Sequence, residues 1–241
     1  MNYTASISDF FKSPKWMMNL LLAGVCVLIP IVGLIVVLGW LITGFWARQD
    51  ERFETFPDFD FSHFGKYLER GLWPFLVTFV VTLVCVPLIW VFMIPTMLIG
   101  GIASGGEGQA SGCFAVIAVI LMIVSCLLIM VAMMLIATPL MIRASITQDF
   151  VQSFDFRFVK RFVTLMWKEI LLTSLFLMVA GIALGFAGVL LFCVGIYFVN
   201  VLLYFSWTHL DKQLYRLYLS RGGEPVPLSP KLNDAPTVPG A

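Results

Sequence analysis

Residues 113 to 142 read CFAVIAVILMIVSCLLIMVAMMLIATPLMI, about thirty residues with no charged side chain and no histidine. A bilayer core about 30 Å thick is crossed by about 20 apolar residues of helix. Lipid offers backbone amides no water to bond, so a segment that spans it must be helical. Around this stretch lie three more of the same kind, at about 17 to 46, 72 to 99 and 170 to 210. The chain is therefore expected to be an all-α, polytopic helical membrane protein.

Composition points the same way. Of 241 residues, 60% are hydrophobic and 12% charged, against roughly 45–50% and about 25% in a soluble domain. The net charge of +1, with no basic patch interleaved with aromatics, excludes nucleic acid as a partner. Cys26, Cys85, Cys113, Cys126 and Cys193 lie in or beside apolar stretches without CxxC spacing. They read as small hydrophobes between helices, not as disulfides or metal ligands. Met1 to Trp16 has no A-x-A-like end, so it reads as a retained segment and not a cleaved signal.

Every charge falls in one of five polar islands: 1 to 16, 47 to 71, 100 to 112, 143 to 169, and 211 to the end. The two middle apolar stretches are single spans. The last, 170 to 210, is long enough for two, and the glycines of Gly185-Phe186-Ala187-Gly188 predict a tight helical hairpin there. The first is either one span kinked at Pro30 or two half-helices folded about Ile29-Pro30-Ile31-Val32-Gly33. Charge favours the second form. Lys and Arg fill four islands, while the third has only Glu107. Short basic loops stay cytoplasmic, so the first stretch must enter and leave on one side as a re-entrant or half-helix element.

An internal repeat links two islands. Phe59-Asp60-Phe61, then Phe64, Lys66 and Trp73, recurs as Phe154-Asp155-Phe156, then Phe158, Lys160 and Trp167. Aromatic and basic residues at this density predict interfacial amphipathic helices, with rings among the headgroups and cations reaching lipid phosphate. Lys66, Trp73, Arg157, Lys160, Arg161 and Trp167 are the candidate lipid or partner contacts. From Gly222 to Ala241, five prolines and few large apolar residues predict a disordered cytoplasmic tail. The domain proper is 1–221.

A search for chemistry finds little. The apolar stretches hold no Asp, Glu, Lys or Arg, which argues against a proton-coupled or ion-coupled transporter. Asn200, and Gly181 with Gly185 in a small-xxx-small pattern, are expected to be interhelical contacts. Two histidines, His63 and His209, cannot form H-E-x-x-H, and no G-x-S-x-G occurs. Gly100 to Gly108 has no lysine after it to hold a phosphate. The acidic residues Asp50, Glu51, Glu54, Asp58 and Asp60 follow no cation-loop spacing, so they read as a solvated face. No catalytic residue, metal or cofactor is assigned.

The order of Pro14-Lys15-Trp16, Leu20-Leu21-Leu22, Leu28-Ile29-Pro30-Ile31-Val32-Gly33, Gly39-Trp40, Phe56-Pro57-Asp58-Phe59, Ser153-Phe154-Asp155-Phe156, Cys193-Val194-Gly195 and His209-Leu210 with Gln213-Leu214-Tyr215-Arg216 resembles the prokaryotic membrane-protein family known as domain of unknown function four-thousand-thirteen. The resemblance runs from about Ser13 to Arg216. Where that family tends to have Tyr-Gly before Gln-Leu-Tyr, this chain has Asp211-Lys212. It implies a multi-pass protein of a prokaryotic plasma (inner) membrane and brings no activity or site; the placement of Lys and Arg puts most loops and the C-terminus on the cytoplasmic side.

Three function classes fit. The favoured one is a non-enzymatic protein that packs with protein partners, a second copy of itself or lipid, as a small subunit, scaffold or assembly factor. The alternative is a channel or carrier for a small neutral solute or lipid. The third is an enzyme acting on lipid headgroups through His63, Asp60 and Asp155. Cysteines placed at Ser8 and at Ser62 are expected to be labelled from the same side of the membrane; opposite sides would make residues 17 to 46 a single span.

Overall fold

Where a chain carries charge only in short islands, its helices must end at those islands and run uncharged between them. The computed structural model follows this rule and describes residues 1–48, 50, 52–104, 109–191 and 194–233. Its helices are α1 (Tyr3–Ser8), α2 (Trp16–Val27), α3 (Val32–Phe45), α4 (Phe64–Ser104), α5 (Gln109–Thr147), α6 (Phe150–Ser153), α7 (Phe156–Leu190) and α8 (Gly195–Ser220). No strand occurs among the described residues.

Three helical segments are long and apolar enough to cross a membrane: Phe61–Pro95, Val116–Thr147 and Phe150–Leu190. Only 12%, 6% and 11% of their apolar windows are buried within the chain, so their surface needs an apolar surrounding. Lipid supplies it, and the chain is a membrane protein.

α2 and α3 form a hairpin of two half-helices. Their 12 and 14 residues give lengths of about 18 and 21 Å, too short for a bilayer core. The turn passes Pro30, and Ile31 sits at φ 64°, a region β-branched residues avoid. At the tip Leu28, Ile29 and Ile31 are exposed. Gly24 of α2 lies against the ring of Phe198 near the start of α8, which puts this apolar tip far from the charged end of α8.

The other helices pair as α4 with α5 and α7 with α8. α4 and α5 run antiparallel, with Thr78 Oγ1 donating to Met141 Sδ at 2.6 Å and Val77, Val81, Leu140 and Ala144 buried between them and α7. α7 and α8 close where Gly188 and Gly195 bring their backbones together: a Cβ on Gly195 would lie 2.7 Å from the Gly188 oxygen. This departs from the expected break at Gly185-Phe186-Ala187-Gly188, because α7 continues through both glycines to Leu190. No water is available to take up a broken backbone bond there, and the helix ends only after it. Phe192 and Cys193 lie outside the described residues. α8 is not one of the three long spans, since its apolar part from Gly195 to Leu210 is about 24 Å long.

Two further expectations change. Residues 59 to 73 and 154 to 168 are not separate interfacial helices, because each copy of the repeat starts a long helix. Asp60 Oδ1 accepts the Ser62 amide at 2.8 Å, and Asp155 Oδ1 accepts those of Arg157 and Phe158 at 3.0 and 3.3 Å. Both aspartates are helix caps of the ordinary kind, and the repeat is a capping device. Nor is the tail disordered from Gly222. Residues 222–233 lie down on the bundle, with Leu232 fully buried, Val226 N donating to Tyr215 Oη at 2.7 Å and Ser229 N to the Ile146 oxygen at 3.0 Å. Prolines already restrict this segment when unfolded, so ordering it costs less entropy. Residues 234–241 lie outside the described ones.

The large buried side chains sit toward the charged ends. Trp40 is enclosed by Phe56 and Phe59 at ring distances of 5.6 and 5.5 Å and donates Nε1 to the Pro57 oxygen at 2.8 Å. Phe162 and Tyr218, 4.7 Å apart, centre a second cluster of α5, α7 and α8. α3 and α4 touch backbone to backbone: a Cβ on Gly39 would stand 1.7 Å from the Tyr67 oxygen. Gly39→Val is therefore expected to destabilise the detergent-solubilised protein by about 3 kcal/mol or more. Gly185→Ala, with open space around it, is expected to leave the thermal unfolding midpoint unchanged or slightly higher.

Candidate functional site

The four basic islands meet at one end of the molecule. α1 docks on α8 through Ser6 Oγ and Ser206 Oγ at 2.7 Å, and through the Asn2 amide donating to Gln213 Oε1 at 2.7 Å. Lys15 pairs with Asp58 at 2.8 Å, joining the first island to the second. Arg70 Nη2 donates to the Lys231 oxygen at 2.7 Å, and Lys231 pairs with Glu69 at 3.0 Å, joining the second to the last. Arg221 pairs with Glu169 at 2.6 Å, joining the last to the fourth.

In this plate a groove of about 410 Å³ opens between the start of α7 and the end of α8, lined by Arg157, Lys160, Arg161, Thr164, Leu165, Arg221 and Gly222. Two of its cations are held. Arg161 pairs with Glu224 and donates to the Gly222 oxygen at 2.7 Å, and Arg221 donates to the Leu165 oxygen at 2.7 Å besides its bridge to Glu169. Arg157 and Lys160 are exposed and have no side-chain hydrogen bond or ion pair among the described residues. Three of the six residues singled out from the repeat thus share one groove. Trp167 lies further along the same helix, 48% exposed, with Lys168 Nζ 5.4 Å from its ring. Lys66 and Trp73 sit on α4, away from the groove, where Lys231 Nζ covers the Trp73 ring at 5.5 Å.

A smaller cleft of about 140 Å³ lies between α3 and α8, lined by Gly44, Phe45, Arg48, Phe53, His209, Lys212, Gln213 and Arg216. Lys212 Nζ donates to the Phe45 oxygen at 2.5 Å. Burial first, and Arg48 second, push its ammonium down to about 8. His209 Nε2 is 3.7 Å from Asp9 Oδ2. Beside them Asp211 is buried and its Oδ1 has no partner among the described residues. Burial raises its carboxyl well above the usual range. Sequence reading missed Asp211 as a buried group and Lys212 as a half-buried one. Their charge marks them as solvent-facing, and only the packing of other elements against α8 covers them.

The proposed interhelical contacts fare differently. Asn200 is half-buried and has no side-chain hydrogen bond among the described residues. A Cβ on Gly181 would reach Leu203 at only 3.8 Å, and one on Gly185 would meet nothing within 4 Å. The close seam belongs to Gly188 and Gly195 instead, because the two helices approach most tightly next to their turn.

Three acidic residues of the second island have partners. Asp50 accepts from Arg52 and Thr55, Asp58 from Lys15 and Asn19, and Asp60 caps its turn; Glu51 lies outside the described residues. No group of three or more His, Cys, Asp or Glu is placed to hold a metal ion among the described residues. Cys26, Cys85 and Cys126 are free thiols; the side chain of Cys113 is outside the described set. So are Gly105 to Gly108 of the glycine-rich loop.

A carboxyl held protonated in the fold but ionised when unfolded loses stability as pH rises through the unfolded value near about 4. Asp211→Asn is therefore expected to match the wild type at low pH and to be increasingly more stable than it as pH rises from about 4 to 7. Denaturation midpoints in detergent at stepped pH read this directly; a constant difference would mean that folding does not shift the Asp211 carboxyl.

No curated protein and no solved structure matches the chain. A family model described as "Protein of unknown function (DUF4013)" matches residues 22–193, which take in the α2–α3 hairpin after its first turns, α4, α5, α6 and α7. The motifs before residue 22 and after 193, and with them the cleft side of α8, lie outside that match. With helices long and apolar enough to span a bilayer and a match over most of its length, this membrane protein belongs to the family of unknown function DUF4013.

Proposed function

We infer that this is a non-enzymatic integral membrane protein of a prokaryotic inner membrane, acting by packing against protein partners and lipid as a small subunit, scaffold or assembly factor. Its charged plate faces the cytoplasm, and the α2–α3 hairpin enters and leaves the membrane on that side. The observation that carries this reading is the α4–α5 hairpin. Helices of 41 and 39 residues are about 60 Å long, twice the core thickness of a bilayer. Their outer halves leave Leu83, Val84, Trp90, Val91, Ile120, Leu121, Leu127 and Leu128 exposed. Side chains facing outward on both helices form a surface suited to lipid and to other apolar helices. Such excess length is accommodated by tilting or by association.

The basic plate adds a second surface, at the depth where lipid headgroups and cytoplasmic partners meet the protein. The uncharged interior of the spans supports packing over ion transport. Purification of the full chain in mild detergent, followed by mass spectrometry, is expected to give a defined oligomer or a stoichiometric partner. Monomer alone, with nothing co-purifying, would overturn the reading.

A further inference from the structure

We propose that the groove of Arg157, Lys160, Arg161 and Arg221 holds the headgroup of an anionic phospholipid whose acyl chain lies along the exposed face of α7. The proposal rests on the membrane reading above and names the lipid class that its plate would take. Arg161 and Arg221 are fixed by Glu224, Glu169 and two backbone oxygens. The side chains of Arg157 and Lys160, next to them, have no carboxylate and no hydrogen-bond partner among the described residues. Two preplaced guanidinium groups flanked by two uncommitted cations present an excess of positive charge suited to a phosphate.

The helix face above the groove selects a lipid over a soluble anion. Arg161, Thr164 and Lys168 are followed at intervals of three and four residues by Leu172, Leu175, Val179 and Ile182, so all lie on one side of α7. Those four apolar residues are 55%, 53%, 56% and 69% exposed. Polar atoms at the base and an uninterrupted apolar track above match a molecule with a charged head and a long tail. Trp167, 48% exposed at the boundary, stands where interfacial aromatics sit at headgroup level.

Native mass spectrometry of the full chain in detergent, titrated with phosphatidylglycerol or with phosphatidylcholine of the same acyl chains, tests this. The wild type is expected to retain phosphatidylglycerol preferentially. A juxtamembrane cation contributes roughly a factor of five at low salt, so R157Q/K160Q is expected to lower that retention about thirty-fold. R52Q, which removes an exposed cation of the second island outside the groove, is expected to leave it within about two-fold. Since Arg157 and Lys160 are exposed and unpaired, the double variant is expected to keep the wild-type circular dichroism and unfolding midpoint.

Equal retention of the two lipids by the wild type would overturn the proposal, as would an unchanged double variant or an equal loss in R52Q. Competition by millimolar inorganic phosphate would reassign the groove to a small anion and overturn it too. A chain that purifies as lone monomer yet keeps its phosphatidylglycerol preference overturns the partner reading and leaves this one standing.

Discussion

A peptide group inside lipid can bond only to the chain itself, and a charge there has no solvent at all. These two costs organise the molecule. The first keeps each long segment helical even across residues that break helices in water: α4 runs through Pro74, Pro87 and Pro95, α5 through Pro139, and α7 through Gly185 and Gly188. The second gathers four of the five polar islands at one end. There they bridge one another, and the hairpins project from them. Because most large buried side chains, including Trp40, Phe162 and Tyr218, lie near that end, the chain holds itself together at its polar base and leaves its outer arms to the bilayer.

The plate is therefore both the structural centre and the place where chemistry is concentrated. Its two openings differ in kind. The groove on α7 is open, built from arginines whose partners are visible, and contains cations that nothing engages among the described residues. The cleft between α3 and α8 is smaller and holds Lys212, whose ionisation burial opposes, as it opposes that of the neighbouring Asp211 outside its lining. A buried acid whose Oδ1 has no partner among the described residues costs stability when ionised, and burial raises its carboxyl well above the usual range. The first arrangement suits a ligand supplied by the membrane; the second is a constraint on how α3, α8 and the N-terminal helix fit.

The repeated Phe-Asp-Phe triplet illustrates how a local device serves a global layout. In each copy the aspartate caps a helix start, the preceding phenylalanine turns inward and the following one outward; Phe59 is 3% exposed, while Phe61 and Phe156 are 47% and 72% exposed. Both long hairpins thus begin at the polar end with the same stop to the chain and the same direction of travel. The repeated segments form the first turns of long helices and not separate surface helices.

Sequence alone determined the elements whose cause is local: helical class from uncharged runs, the spans of α4 and α5 from their length, and the charged segments as the places where helices end. It also marked Arg157, Lys160 and Arg161, because aromatic and basic residues mixed beside an apolar run have one ordinary location. Tertiary structure alone decided the rest. Whether 17 to 46 forms one helix or two depends on packing against α8 and α4, since Pro30 permits either. The turn of the last hairpin depends on where two backbones meet, which a pair of glycines at Gly188 and Gly195 allows and a pair at Gly181 and Gly185 does not use. Arg221 joins the groove, Asp211 becomes buried and residues 222–233 become ordered because elements distant in sequence are brought together. Local composition cannot report such contacts: the free energy that orders them comes from the partner surface, not from the segment itself.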